Sequence, residues 1–229
     1  MARSILHMLT PLKHMSPFDV NMAVDAGFEV VSTYTAVELA EVNRALKARF
    51  STDLKGKRIV IFGGAGVVAY VAAVIGALEG AQTVLVGHDG EERVSKIAFT
   101  MKWRFGIDVG AVDGTLPEAR RAAITDADVI LSAGPAGVSI LTAEDLESAP
   151  KLLVASDVNA VPPAGIAGID VNAVDVPLPV GRGVGIGALA VGNVKYQTQC
   201  RMFRKMLEAQ EPLCLDFRDA YKLAVEIAG

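Results

Sequence analysis

The sequence predicts an α/β fold built on a doubly wound, mainly parallel sheet, with a small, shortened βαβ unit at the N-terminal end. Three observations predict it. Strand-like apolar runs alternate with helical stretches along most of the chain. The runs 129–133 and 152–156 are apolar apart from one serine each, as expected for strands covered on both faces. A glycine-rich turn at 63–66 joins one such run to a helix. With 229 residues the chain is long enough for one large or two small domains. Hydrophobic residues make up 52% but aromatics only 6%, so the core must come from Val, Ile, Leu and Ala.

In chain order, 4–9 reads as a strand. Ser16 with Pro17 opens a helix running to about Gly27, since serine caps and proline is tolerated at the first helical position. Residues 28–33 read as a second strand. The stretch 36–50 reads as an amphipathic helix, with Val37, Leu39, Ala40, Val42, Leu46 and Phe50 as its apolar positions. The polar segment 52–57 (TDLKGK) is the first candidate domain boundary.

Beyond it the alternation is regular. Strands are expected at 58–62, 83–86, 107–112, 129–133 and 152–156, and helices at 67–79, 91–105 and 116–124. The Pro/Gly-rich tract 161–187 reads as an ordered loop region with a short strand, followed by helices at about 188–208 and 216–227. The implied division is 1–51, 52–187 and 188–229, with the last part packing between the other two.

The uncharged stretch 59–78 is about as long as a membrane span. Gly63, Gly64 and Gly66 interrupt it after five strand-like residues, which suits strand, turn and buried helix instead. The N-terminal sequence lacks the apolar length of a secretory signal, and a cytoplasmic protein is expected. The net charge of −4, without a run of either sign, gives nucleic acid no surface to bind. Cys200 and Cys214 have no CxxC spacing, and His7, His14 and His88 are dispersed, so no metal site is expected.

The motif that carries chemistry is Gly64-Ala65-Gly66-Val67-Val68-Ala69, a GxGxxA set between a strand and a helix. Its order suits a Rossmann-type dinucleotide site: a glycine for the tight turn, a glycine for close approach to a pyrophosphate, and a small residue for helix–strand packing. The alternative is a tight turn that binds nothing. At the next strand end stands His88-Asp89, and an acid about twenty residues after the glycines normally bonds the ribose of NAD. Asp89 reads equally as a cap of the following helix. NAD is favoured, with NADP accommodated if His88 or Arg93 turns inward. Ser132, Ala133 and Gly134 follow one apolar strand, and Asp157 and Asn159 the next. In open α/β sheets such ends border the ligand, although turn chemistry alone would also place Gly134 there. No GxSxG, HExxH or GxxxxGKS occurs, so hydrolase, zinc-protease and P-loop readings have no support.

The runs DLKGKRIVIFGGAGVVA, LSAGPAG, ASDVNAVPPAGIAGID and GIGALAVGNVK, with the opening PLKHMSPFDVNMAVDAGFEVVSTY, carry a resemblance. The chain resembles the NAD(P)-dependent methylenetetrahydromethanopterin dehydrogenases of methylotrophic bacteria, in pieces over almost its whole length. It departs from them in the N-terminal substrate domain, much of whose middle is missing. The resemblance implies a homo-oligomeric enzyme of one-carbon metabolism that oxidises a methylene group on a pterin carrier, with NAD or NADP as hydride acceptor. It also places Asp19 (in SPFD) and Lys195 (in GNVK) at the cleft, Asp19 to stabilise the developing cation and Lys195 to position the pterin or, paired with an acid, to tune the local field. The plainer readings are a first-turn helix acid for Asp19 and a solvated lysine for Lys195. A folate carrier, or a nucleotide-binding module without turnover, are the alternatives.

Overall fold

The computed structural model describes residues 5–6, 33–64, 66–210 and 214–229. Its elements are β1 (Ile5–Leu6), α1 (Thr33–Phe50), β2 (Arg58–Phe62), α2 (Val67–Leu78), β3 (Gln82–Gly87), α3 (Glu91–Phe105), β4 (Gly110–Asp113), α4 (Pro117–Ile124), β5 (Val129–Ser132), α5 (Ala143–Glu147), β6 (Val154–Asp157), β7 (Val176–Pro177), β8 (Val184–Gly187), α6 (Gly192–Glu208), β9 (Cys214–Leu215) and α7 (Phe217–Ala228).

Seven strands form one sheet in the order β4-β3-β2-β5-β6-β8-β7, parallel except for the edge pair β7–β8. Numbered from β2, the six parallel strands run 3-2-1-4-5-6, the order of a doubly wound nucleotide-binding sheet. Its direction of winding reverses between β2 and β5, which pair from Ile59–Val129 to Phe62–Ser132. Loops from both strands diverge there and open a crevice at the carboxyl ends. A separate parallel pair, β1–β9, lies outside this sheet.

Two apolar cores lie on the sheet's faces. One gathers α1, α2, α6 and α7 over Ile59, Ile61, Leu85 and Val154; the other places Ile124, Leu146, Ile166 and Leu178 against Val60, Phe62 and Ile130. Eight of the twelve residues of α2 are Val or Ala, so the helix can lie close to the sheet. A Cβ on Gly76 would stand 2.8 Å from Thr83 Cγ2. On α1, Ala36, Val37, Leu39, Ala40, Val42, Ala45 and Leu46 are buried. Its main neighbour is α7, whose start is fixed by a capping box between Asp216 and Asp219. Arg44 clamps α1 to the loop before β7 through two hydrogen bonds to Asp175 (2.7 and 3.0 Å).

Several boundaries differ from the sequence reading. Thr33 belongs to α1 rather than to a strand, and the expected elements at 7–32 lie outside the described residues. The strand expected at 107–112 begins only at Gly110, where pairing with Val84 starts; left-handed Gly106 ends α3, and Ile107 is buried in the link. The run at 152 enters the sheet at Val154, because Leu153 N–H first bonds the Asp128 carbonyl. The last long helix starts at Gly192, not 188, since 188–191 form a turn tied back to Val171 by Leu189 N–H (2.7 Å). The tract 161–187 supplies two strands, and β8 is buried throughout. The short helix α5, missed in sequence, is set by a Thr142–Asp145 capping box. Among the described residues no helix is long and apolar enough to cross a membrane.

Candidate active site

At the end of β2 the chain must turn sharply past the end of β5. Gly63 makes this turn at φ +91, and a Cβ there would run into the Ala133 carbonyl. The positive φ therefore falls on Gly63, one residue before the glycine to which the sequence reading gave the tight turn. Gly64 instead packs under β3, its N–H on Val86 O at 3.1 Å. Gly66 caps α2 with an ordinary backbone (φ −90), and a Cβ there would meet only Gly63 O, at 3.3 Å. Gly66 is thus needed for the space it leaves open rather than for its backbone freedom. Beyond it, Val67, Val68 and Ala69 form the first turn of α2, whose leading amides have no acceptor inside the helix and offer partial positive charge to an anion. Ala69 is fully buried, the small residue that lets helix meet sheet. Ala65 and Asp19 lie outside the described residues.

A cleft of about 360 Å³ brings Gly66, His88, Asp89, Ala133 and Gly134 together, along with Gly63, Arg93 and Pro135. Beside it lies a slot of about 200 Å³ between the ends of β3 and β5, walled by Phe62, Val86, Val138 and Ile140 and reached by Arg120. Arg120, which the sequence reading missed, donates to Gly114 O at 2.9 Å and keeps a buried Nε without a partner. Asp89 does not cap α3: the cap is Gly90, with no side-chain bond. Its carboxylate holds Arg93 at 2.6 Å and faces His88 Nε2 at 3.1 Å. The acid at the cleft wall is therefore already matched by two basic groups.

Three further expected residues turn away from this cleft. Asp157 is buried and accepts from the N–H groups of Gly165 (2.6 Å), Ile166 (3.1 Å) and Asn159 (3.1 Å). Asn159 bridges the same loops, accepting from Gly137 and Val161 and donating to Pro163 O at 2.8 Å. Ser132 lies beside Asp157 in register, and its buried hydroxyl faces Gly165 without a partner. These side chains pin the loop after β6 under the mouth of the sheet.

A second corner forms where α1 crosses β6. Glu38, completely buried, takes the Ser156 hydroxyl on one oxygen and lies near the Tyr34 hydroxyl, with its second oxygen left without a partner. Burial is the main cause pushing its carboxyl up to about 7, and nearby Asp157 and Glu41 add to it against the Ser156 and Tyr34 hydroxyls. Tyr34 donates to Ala188 O at 3.1 Å, and burial, then Glu38, hold its hydroxyl well above the ordinary phenol range. Lys195, half-buried in the first turns of α6, sets its ammonium 5.3 Å from the centre of the Tyr34 ring. Lys195 therefore faces a built corner rather than open solvent. Tyr34 and Glu38 stand four apart on one face of α1, but no spacing in the sequence links them to Ser156. Among the described residues no cluster has the makings of a metal site.

Residues 17–84 match the family described as methylene-tetrahydromethanopterin dehydrogenase, N-terminal. The chain is 74% identical to the NAD(P)-dependent methylenetetrahydromethanopterin dehydrogenase of Methylorubrum extorquens, over an alignment that spans the whole of both proteins. That alignment runs over 297 positions against 229 residues here, so part of it has no counterpart in this chain. The bifunctional protein MdtA of the same organism is 30% identical, the match covering 94% of this chain and 72% of that protein. Among solved structures, the shikimate 5-dehydrogenase of Listeria monocytogenes, crystallised with shikimate and NAD, superposes with a TM-score of 0.51 at 16% identity, over 98% of this chain and 72% of that one. The last likeness is one of fold.

Proposed function

Since the chain belongs to the methylenetetrahydromethanopterin dehydrogenases, we propose that it oxidises methylene-tetrahydromethanopterin to the methenyl form with NAD(P) as hydride acceptor. The observation that carries this reading, beside the family, is the cleft at the β2–β5 switch point, where Gly66 leaves open space in front of the α2 amides. The residues present fit a dinucleotide. The pyrophosphate site is the Gly64–Ala69 turn, the ribose side is His88 and Asp89, and the apolar slot by Arg120 suits a flat base.

When bound, the nicotinamide accepts the hydride. The substrate carbon lies between two nitrogens that share the resulting positive charge, so no side chain has to remove a proton. The chain's task is to hold the donor carbon at reacting distance and to shape the local field. We assign the carrier side to Lys195 and Asp19, and assign to Ser132, Ala133, Gly134, Asp157 and Asn159 the loops that border the nicotinamide end. Asp157 and Asn159 serve by fixing those loops through the backbone bonds described above.

We further assign residues 1–51 to the carrier side, 52–187 to the nucleotide side and 188–229 to the helices between them. The packing of α1 against α7 supports that last assignment. A homo-oligomer in the cytoplasm is part of the same reading. Exposed Phe99 and Trp103 on α3, and Tyr196, Phe203 and Leu207 on α6, support it as surfaces suited to a second copy. Equilibrium sedimentation tests the assembly.

The deciding experiment follows NADH or NADPH formation by absorbance with methylene-tetrahydromethanopterin and, separately, methylene-tetrahydrofolate. Turnover with the methanopterin carrier is expected. Cofactor binding without turnover on either carrier would leave a nucleotide-binding module, and turnover on folate alone would move the substrate class.

A further inference from the structure

A lysine near the start of a helix stands against the positive end of the helix dipole. Lys195 is in that position, its own N–H closing the first turn of α6 on Val191 O at 3.0 Å. No carboxylate among the described residues pairs with it. What faces the ammonium is the Tyr34 ring, at 5.3 Å, inside the range in which the negative face of an aromatic ring attracts a cation. The ring itself is fixed from behind. Its hydroxyl donates to Ala188 O, and the Glu38 carboxyl, one turn further along α1 and anchored by Ser156, lies near it.

Ser156 and Ala188 lie at the carboxyl ends of β6 and β8, so this corner stands at the mouth of the sheet, where ligands of open α/β folds bind. Solvation alone would leave a lysine without such scaffolding. Here three elements, α1, β6 and the turn before α6, converge to orient one ring beneath it.

We infer that Tyr34 is a positioning residue for the one-carbon reaction: its ring, held by Ala188 beside Glu38, seats the Lys195 ammonium so that it meets the polar edge of the pterin carrier. The inference rests on the dehydrogenase reading and adds to it the group that places Lys195. Tyr34 touches no reacting atom and acts only through the lysine.

The test compares Tyr34→Leu, which removes the ring, with Tyr34→Phe, which keeps the ring and drops the hydroxyl. Loss of a half-buried cation–ring contact should raise the KM for the methylene carrier about tenfold in Tyr34→Leu, with the NAD(P) Kd unchanged. Tyr34→Phe should fall between that variant and the parent. If Tyr34 works through Lys195, Tyr34→Leu placed on Lys195→Ala should add no further loss. A carrier KM unchanged in Tyr34→Leu, or a full additional loss in the double variant, overturns the inference. Reductive methylation of the free protein, followed at Lys195 by peptide mass spectrometry, gives a readout independent of turnover. The rate should rise severalfold in Tyr34→Leu at unchanged Tm, and an equal rate overturns the seat. Should the parent turn over no carrier, the functional reading falls while the methylation rate still decides the seat.

Discussion

From Gly63 to Pro135 the cleft at the β2–β5 switch point is framed by glycine, alanine and proline with His88, Asp89 and Arg93 on one side, whereas the Tyr34–Glu38–Ser156–Lys195 corner is made of side chains from three separate elements. The first region depends on atoms being absent: a missing Cβ at Gly63 lets β2 pass β5, and one at Gly66 leaves room before α2. The second depends on groups being present: Ser156 holds one oxygen of the buried Glu38 carboxyl while the other has no partner, and a buried carboxyl with no partner at all would be costly. The difference teaches where each region is vulnerable. The cleft fails by filling, and the corner fails by losing a partner.

The largest effect should come from filling the wrong glycine. Gly63→Ala must place a Cβ at positive φ against the Ala133 carbonyl, and we expect it to lose about 3 kcal/mol or more in urea unfolding. Gly66→Val has an ordinary backbone and an open direction for its side chain. It should lose no more than about 1 kcal/mol as a poorer cap, yet weaken NAD(P) binding at least about tenfold by blocking the pyrophosphate. If both variants proved equally stable, the division of labour between the two glycines would be wrong. Unchanged NAD(P) affinity in folded Gly66→Val would remove the site.

The corner can be broken more gently by pH. Glu38 is pushed up to about 7 from an ordinary value of 4.5, so the folded chain keeps a proton that the unfolded chain releases. Its contribution to stability is fully present below the unfolded value and is lost as pH rises towards 7, at a cost of about 3 kcal/mol above that point. Glu38→Gln keeps the shape and the Ser156 bond but has nothing to titrate. The variant should match the parent in acid and exceed it in stability above neutrality. A difference independent of pH would show that Glu38 is ionised in the fold.

The same contrast explains what was legible in the sequence. The cleft could be read because its parts are contiguous: a strand, two spaced glycines and a helix within 58–78, then Asp89 one strand later. The parallel sheet followed from alternation, because a helix crossing over between two strands lets them run in the same direction. The corner could not be read, since Ser156 and Glu38 are 118 residues apart and a buried glutamate on a helix looks like a surface one in sequence. Boundaries slipped at Gly110 and Gly192 because apolar residues there are buried in links rather than in paired strands or helix. The role of Asp157 was misleading for a related reason. An acid at a strand end advertises a ligand contact, and its bonds to three backbone amides appear only once the loop is folded.

The smallest effect sharpens the cleft side and concerns the choice between NAD and NADP. Asp89 sits at the end of β3, where a carboxylate bonds ribose hydroxyls and repels a 2′-phosphate. In this chain, however, the same carboxylate ties up Arg93 at 2.6 Å and faces His88 at 3.1 Å. All three side chains are at least a third exposed, so the pairing is weak and exchangeable. Removing the acid in Asp89→Ala should free both basic groups for a 2′-phosphate and take away a ribose contact. The ratio of kcat/KM for NADP over NAD should then rise about tenfold, the value of one charge-assisted hydrogen bond. Arg93→Ala should lower the ratio, because the residue left behind is a carboxylate with one fewer neutralising partner. If neither change moves the ratio, Asp89 and Arg93 hold only each other, and the ribose is read elsewhere along the cleft.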